Sequence, residues 1–250
     1  KACHGEACPL AKGFYDRLPA ARRAAVAVTG PLDKNTLREV ALAHEVCPYY
    51  LGQDLLHWSD VVIGDYNYYF DINAMLYAQT LANQWRVSVL VDEAHNLVER
   101  ARKMYSAELD PSRLVLARQG APTAIKQVLY ELHQEQAEAY QVYDEVQQAF
   151  RRALQQTASA ILDHLADHPA GIDGRLQDFF FEVLHFSRMA ELLDDHSLFD
   201  ITDTGETGGA VLCLRNIVPA AFLSQRFAAA RSAALFSATL SPSHYYSDML

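Results

Sequence analysis

The spacing of apolar residues divides the chain into stretches of different character. Early on it predicts a helix over about Phe14–Val28, stopped by Gly30-Pro31, and a second over about Lys34–Glu45 with Asp33 as its N-cap. Two short runs rich in β-branched residues follow, Asp60-Val-Val-Ile-Gly64 and Val87-Ser-Val-Leu-Val91. They read as buried strands of a parallel sheet with a helix over Asn73–Asn83 between them. From Thr123 to about His168 the chain reads as helix almost throughout. Ile125, Val128, Leu129 and Leu132 recur at i, i+3, i+4 and i+7, and the set Ala153, Leu154, Ala158, Ile161, Leu162, Leu165 repeats the pattern until Pro169-Ala-Gly171. A further helix over about Leu176–Leu193 carries Phe179-Phe180-Phe181, which are expected to pack helix against helix. Gly205–Gly209 reads as a turn-rich exit. Two more strands, Ala210–Leu214 and Ser232–Phe236, flank a helix over Pro219–Ala230.

The pattern predicts an α/β fold interrupted twice. A cysteine-containing block occupies 1–57 and an all-helical block 106–209, leaving 58–105 and 210–250 as two parts of one parallel-sheet domain. Half the residues are hydrophobic and 21% are charged, which excludes a disordered or collagen-like chain. No apolar run approaches the ~20 residues of a membrane span. No signal-peptide pattern opens the sequence, and a start at Lys1 without Met reads as a piece of something longer.

The formal charge of −10 argues against a general nucleic-acid coat protein. Residues 1–50 differ, with seven basic and five acidic groups, a balance compatible with a local DNA or RNA contact. Four cysteines are too few for a secreted disulfide framework, so they read first as reduced thiols of a cytosolic protein.

The strongest chemical signal is Val89-Leu-Val-Asp92-Glu93-Ala94-His95. An apolar strand delivers two adjacent carboxylates at its C-terminal edge, where open α/β sheets bind ligands. One carboxylate can hold Mg²⁺ directly or through its waters, and the next can deprotonate an attacking water. His95 can pass the phosphate state to a neighbouring element. For an Asp-Glu pair alone, a solvated turn is the competing reading. Ser237-Ala-Thr239 closes the last strand with two hydroxyls, a feature common at strand ends. Cys3 and Cys8-Pro9, with Cys47-Pro48, offer soft ligands for a metal or an Fe–S cluster; three unrelated buried thiols are the alternative. Cys213, inside a strand, reads as a core thiol.

Taken together these strings resemble the XPD/DinG family of iron–sulfur superfamily 2 DNA helicases. Asp92-Glu-Ala-His95 is similar to its Walker B motif and Ser237-Ala-Thr239 to its motif III. Cys47-Pro-Tyr-Tyr is similar to its last cluster cysteine, Cys3 and Cys8 to the middle pair, and Asp65-Tyr-Asn-Tyr68 to the segment after the cluster domain. The resemblance implies a partial RecA-like motor domain interrupted by an Fe–S domain and a helical arch. It implies a 4Fe–4S cluster on Cys3, Cys8 and Cys47, with a fourth ligand upstream, and Mg²⁺ with ATP at Asp92, Glu93 and His95. Ser237 and Thr239 would couple hydrolysis to movement. The expected partner is single-stranded or forked DNA, handled by a monomeric motor in repair or replication, cytoplasmic in a bacterium and without a membrane contact.

Arg22, Arg23, Lys34 and Arg38 lie near the cysteines and suit phosphates; Tyr15, Tyr49 and Tyr50 suit stacked bases. Ordinary surface charges and core aromatics are the competing reading. No Gly-x-x-x-x-Gly-Lys-Ser/Thr string occurs, so the expectation is a helicase piece inactive by itself. A metal-stapled binding module without a motor, or a redox sensor governing DNA affinity, are the alternatives.

Overall fold

A computed structural model describes residues 8–134, 141–143, 145–169, 171–203 and 210–250. The chain divides into two units, residues 1–64 and 65–250. Cys3 and the expected turn at Gly205–Gly209 lie outside the described residues.

The described residues of the first unit include the α-helices α1 (Phe14–Val26), α2 (Lys34–Ala43) and α3 (Pro48–Leu55). Asp33 caps α2 as its sequence suggests, its carboxylate accepting from the Thr36 N–H at 2.8 Å. Cys47 is the N-cap residue of α3, with Pro48 at the first helical position, where a missing N–H is harmless. The core is small: Leu18, Ala21 and Ala25 of α1 meet Ala41, Val46, Leu51 and Leu55. Asp60–Gly64 forms no strand. Val61 and Ile63 are exposed, Ile63 by 96%, and no described strand pairs with the run. β-branched residues supply strand propensity, but a strand exists only where a neighbour accepts its hydrogen bonds.

In the second unit, α4 (Asn67–Phe70) and α5 (Met75–Ala82) lead to β1 (Ser88–Val91), then α6 (Leu97–Met104). After β2 (Ala107–Leu109) come α7 (Pro111–Gly120), α8 (Thr123–Gln134), β3 (Gln141–Tyr143), α9 (Gln148–Asp167) and α10 (Gly174–Glu191). The chain continues through β4 (Ser197–Asp203), β5 (Ala210–Asn216), α11 (Ala220–Ala229), β6 (Ser232–Leu235) and α12 (Ser243–Met249). Among the described residues no helix is long and apolar enough to cross a membrane.

Two sheets organise the unit. β1 and β6 pair in parallel, Val91 opposite Leu235. They share a core with Tyr69, Phe70, Leu97, Ala101, Met104, Tyr105 and Leu223. The α6 stripe Leu97, Val98, Ala101 and Met104 is buried, while Glu99, Arg100 and Lys103 take the other side. On the parallel sheet, Leu90 remains 71% exposed.

The second sheet is antiparallel, in the order β2-β5-β4-β3. This corrects the expectation of an all-helical block over 106–209, which contains β2, β3 and β4. It also moves Ala210–Leu214 out of the parallel-sheet domain, since β5 pairs antiparallel with β2 and β4. The physical reason is an alternation of period two. Ala107 and Leu109, Phe199 and Ile201, and Leu212 and Leu214 stand opposite one another in register and are all buried. Against that face pack Leu114, Ile125, Leu129, Phe150, Leu154, Phe179 and Phe186. Of the aromatic run, Phe179 and Phe180 are buried as expected of helix-packing residues; Phe181 faces out.

Cys213 is 2% exposed and free, the core thiol its sequence position suggested. Burial pushes its pKa up to about 11, with Glu108 and Asp200 adding to the effect and Arg215 opposing it. The folded state therefore holds the thiol proton more tightly than the unfolded chain. The sign follows: this contribution is intact below the ordinary thiol range and is lost as pH rises through about 11. Thermal unfolding scans should show the midpoint falling above pH 9 in the wild type and falling less in Cys213→Ala; equal slopes would contradict the coupling.

Candidate functional site

The end of β1 and the end of β6 meet. The Phe236 N–H donates to the Val91 carbonyl at 3.0 Å, and the Ala94 N–H returns a bond to the Phe236 carbonyl at 3.1 Å. These bonds continue the strand pairing into the two turns that follow. Ala94 is fully buried beneath its turn and Asp92 and Glu93 are exposed above it. The carboxylates thus stand at the C-terminal edge of a parallel pair, the placement their sequence predicted.

Glu93 has φ 47° and ψ 45°, the left-handed region that non-glycine residues seldom occupy. Its carboxylate Oε2 lies 3.2 Å from His95 Nδ1 and 3.3 Å from Ser237 Oγ, which donates to it. His95 Nδ1 and Ser237 Oγ are 2.7 Å apart. With the imidazole proton on Nδ1, Ser237 Oγ accepts from His95 and from the Thr239 N–H (3.3 Å) and donates to Glu93. Three of the expected residues therefore share one hydrogen-bonded triangle across 144 positions of chain. Asp92 is the next residue, its Oδ1 accepting from the Glu93 N–H at 2.8 Å. Thr239 joins through its backbone N–H; no described partner binds its hydroxyl.

Tyr66 belongs to this site and was not singled out from the sequence. Its hydroxyl donates to the carbonyl oxygens of Asp92 and, at 2.9 Å, of Glu93. The only sequence signal was its place in Asp65-Tyr-Asn-Tyr68; the bond spans 26 positions and leaves no local trace.

In the first unit, Arg22 is committed. Its guanidinium makes two bonds of 2.7 Å to Asp54 and lies over the Trp58 ring at 5.4 Å. Those hydrogen bonds raise its pKa, and they occupy the fork expected to face phosphate. Arg23, Lys34 and Arg38 are exposed and make no ion pair with a described residue. Tyr15 (82% exposed) and Tyr49 (63%) are surface aromatics, not core. With Phe14 and Tyr50 they form an edge-to-face chain: Tyr15–Phe14 5.4 Å, Phe14–Tyr50 6.0 Å, Tyr50–Tyr49 5.3 Å.

Cys8 and Cys47 are free, partly exposed thiols. Their chemistry suits iron or zinc, but two thiols fall short of a closed four-ligand site. Among the described residues no three His, Cys, Asp or Glu side chains gather in a way that could hold a metal ion.

Residues 1–114 match the DEAD_2 family model. The chain is 33% identical over 117 residues to the regulator of telomere elongation helicase 1 homolog of Anopheles gambiae, covering 46% of this chain and 12% of that protein. It is 32% identical over 87 residues to the ATP-dependent DNA helicase CHL1 of Candida glabrata (33% and 10%). It is 31% identical over 74 residues to the general transcription and DNA repair factor IIH helicase subunit XPD of Dictyostelium discoideum (29% and 9%). The matched stretches thus span about a tenth of each of these curated relatives.

Proposed function

We propose that the chain, similar over residues 1–114 to the DEAD_2 family and to XPD-type helicases, is the part of an ATP-dependent DNA helicase in which nucleotide hydrolysis is coupled to movement along single-stranded DNA, in repair or replication. The observation that carries this reading is the triangle of Glu93, His95 and Ser237 in the turns that follow two adjacent parallel strands. Asp92 is placed to hold Mg²⁺, which when bound neutralises phosphate charge. Glu93 takes the proton of the attacking water. Ser237 and His95 tie its carboxylate to the end of β6, so a shift of either strand end alters the geometry of the base. Thr239 acts in this coupling through its main chain.

In this reading β1 and β6 are the visible part of a larger RecA-like sheet. Two parallel strands with Leu90 exposed are fewer than a mixed α/β domain ordinarily requires. The helices and antiparallel sheet over 106–216 form the arch. The phosphate-binding loop and a second motor domain belong to the same polypeptide beyond these residues. Cys8 and Cys47, with Cys3 and one further ligand, would hold a 4Fe–4S cluster, which would staple a first unit whose own core is small.

DNA contacts in this reading fall on the exposed aromatic face and on Arg23, Lys34 and Arg38, with Arg22 serving mainly to hold Asp54. The test is ATP turnover by the intact polypeptide as oligothymidylate is added. Turnover should rise with DNA, and Tyr15→Ala with Tyr49→Ala should raise the half-maximal DNA concentration at least fivefold, given ~1–3 kcal/mol per stacked base. Turnover indifferent to DNA would contradict the function; stimulation indifferent to the tyrosines would remove this face from the DNA path.

A further inference from the structure

Glu93 is held in a backbone conformation that L-residues resist. Something must make it the preferred state, because its side chain reaches His95 and Ser237 only from there. The Ala94 N–H bond to Phe236 holds the far side of the turn, and one hydroxyl from outside it meets the Asp92 and Glu93 carbonyls themselves. The Tyr66 hydroxyl sits against two successive carbonyls, those of Asp92 and Glu93, sharing one proton between them. Successive carbonyls face a common donor only when the backbone between them is turned, and the left-handed Glu93 supplies that turn.

Tyr66 is itself fixed from the other side. Arg100, from α6, lies over its ring at 5.9 Å and is ion-paired to Asp65. Asp65 also accepts from the Asn67 N–H at 3.1 Å, locking the entry to α4.

We propose that Tyr66 is a positioning residue for Glu93, its hydroxyl clamping the Asp92 and Glu93 carbonyls so that the Glu93 carboxylate is aimed at its water. The inference rests on the reading of Glu93 as the water-activating base.

The clamp is tested by Tyr66→Phe, which removes the donor and keeps the ring. Hydrogen exchange on the intact polypeptide should show residues 92–96 exchanging severalfold faster, with β1 unchanged. In the intact polypeptide kcat should fall about 10–100-fold with ATP affinity unchanged within twofold, as misplacement of a base predicts. Tyr66→Phe combined with Glu93→Gln should be no slower than Glu93→Gln alone. Unaltered exchange and kcat would overturn the clamp, as would a double variant slower than the single one. Full turnover in Glu93→Gln is a different failure: it would remove the base assignment, whatever the exchange data show.

Discussion

Glu93→Gln in the intact polypeptide should lower ATP turnover by about 10²–10⁴-fold, the range a positioned general base supplies. The substitution keeps the side chain's size and its hydrogen bonds in part, because the amide oxygen can still accept from Ser237. What it removes is the ability to take a proton. Nucleotide binding should persist, since Asp92 and the turn formed by Tyr66, Ala94 and Phe236 are untouched. Stopped-flow or steady-state phosphate release reads the first quantity and binding of a fluorescent nucleotide the second. Loss of both together would mean that the variant had collapsed the turn.

Cys47→Ser should strip the first unit of iron. The position makes this a selective test, because Cys47 is the N-cap residue of α3 and its side chain makes no capping bond. Serine is a favoured N-cap, so α3 should be kept or slightly stabilised by the change. Any loss then belongs to the missing thiolate. Anaerobically purified intact protein should contain about four iron atoms per chain and the variant almost none. Limited proteolysis should cut residues 1–64 of the variant first, since the core of Leu18, Ala21, Ala25, Ala41, Val46, Leu51 and Leu55 has little else to hold it. Equal iron in both proteins, or none in the wild type, would leave these thiols without a cluster.

The acidic turn was legible because its signal is local. Three apolar residues predict a strand, the carboxylates follow at once, and Ser237-Ala-Thr239 repeats the pattern at the end of a second strand. That Val91 stands opposite Leu235 is a fact of three dimensions that no local pattern supplies. The helices α1, α2, α5, α10 and α11 were legible to within two residues because their signal too is local, Asp33 marking a start; α8 and α9 were read as one helix across β3, and α3, α4, α6, α7 and α12 left no signal that was read.

What failed was whatever depends on a distant neighbour. Asp60–Gly64 has the composition of a strand and no described partner. Ser197–Asp203 alternates correctly but lies between helical stretches, and its buried residues Phe199 and Ile201 matter only once β5 stands beside them. Arg22 looked free because Asp54 is 32 positions away. Tyr66 escaped notice because hydroxyl-to-carbonyl bonds set no spacing rule.

The most direct measurement is strand separation. A forked duplex with a fluorophore and quencher on its two strands, mixed with the intact polypeptide, should part when ATP and Mg²⁺ are added and remain paired when Glu93→Gln replaces the wild type. A duplex that stays closed with the wild-type protein, or opens equally well with Glu93→Gln, would contradict the assignment of this carboxylate and its serine and histidine partners to a DNA motor.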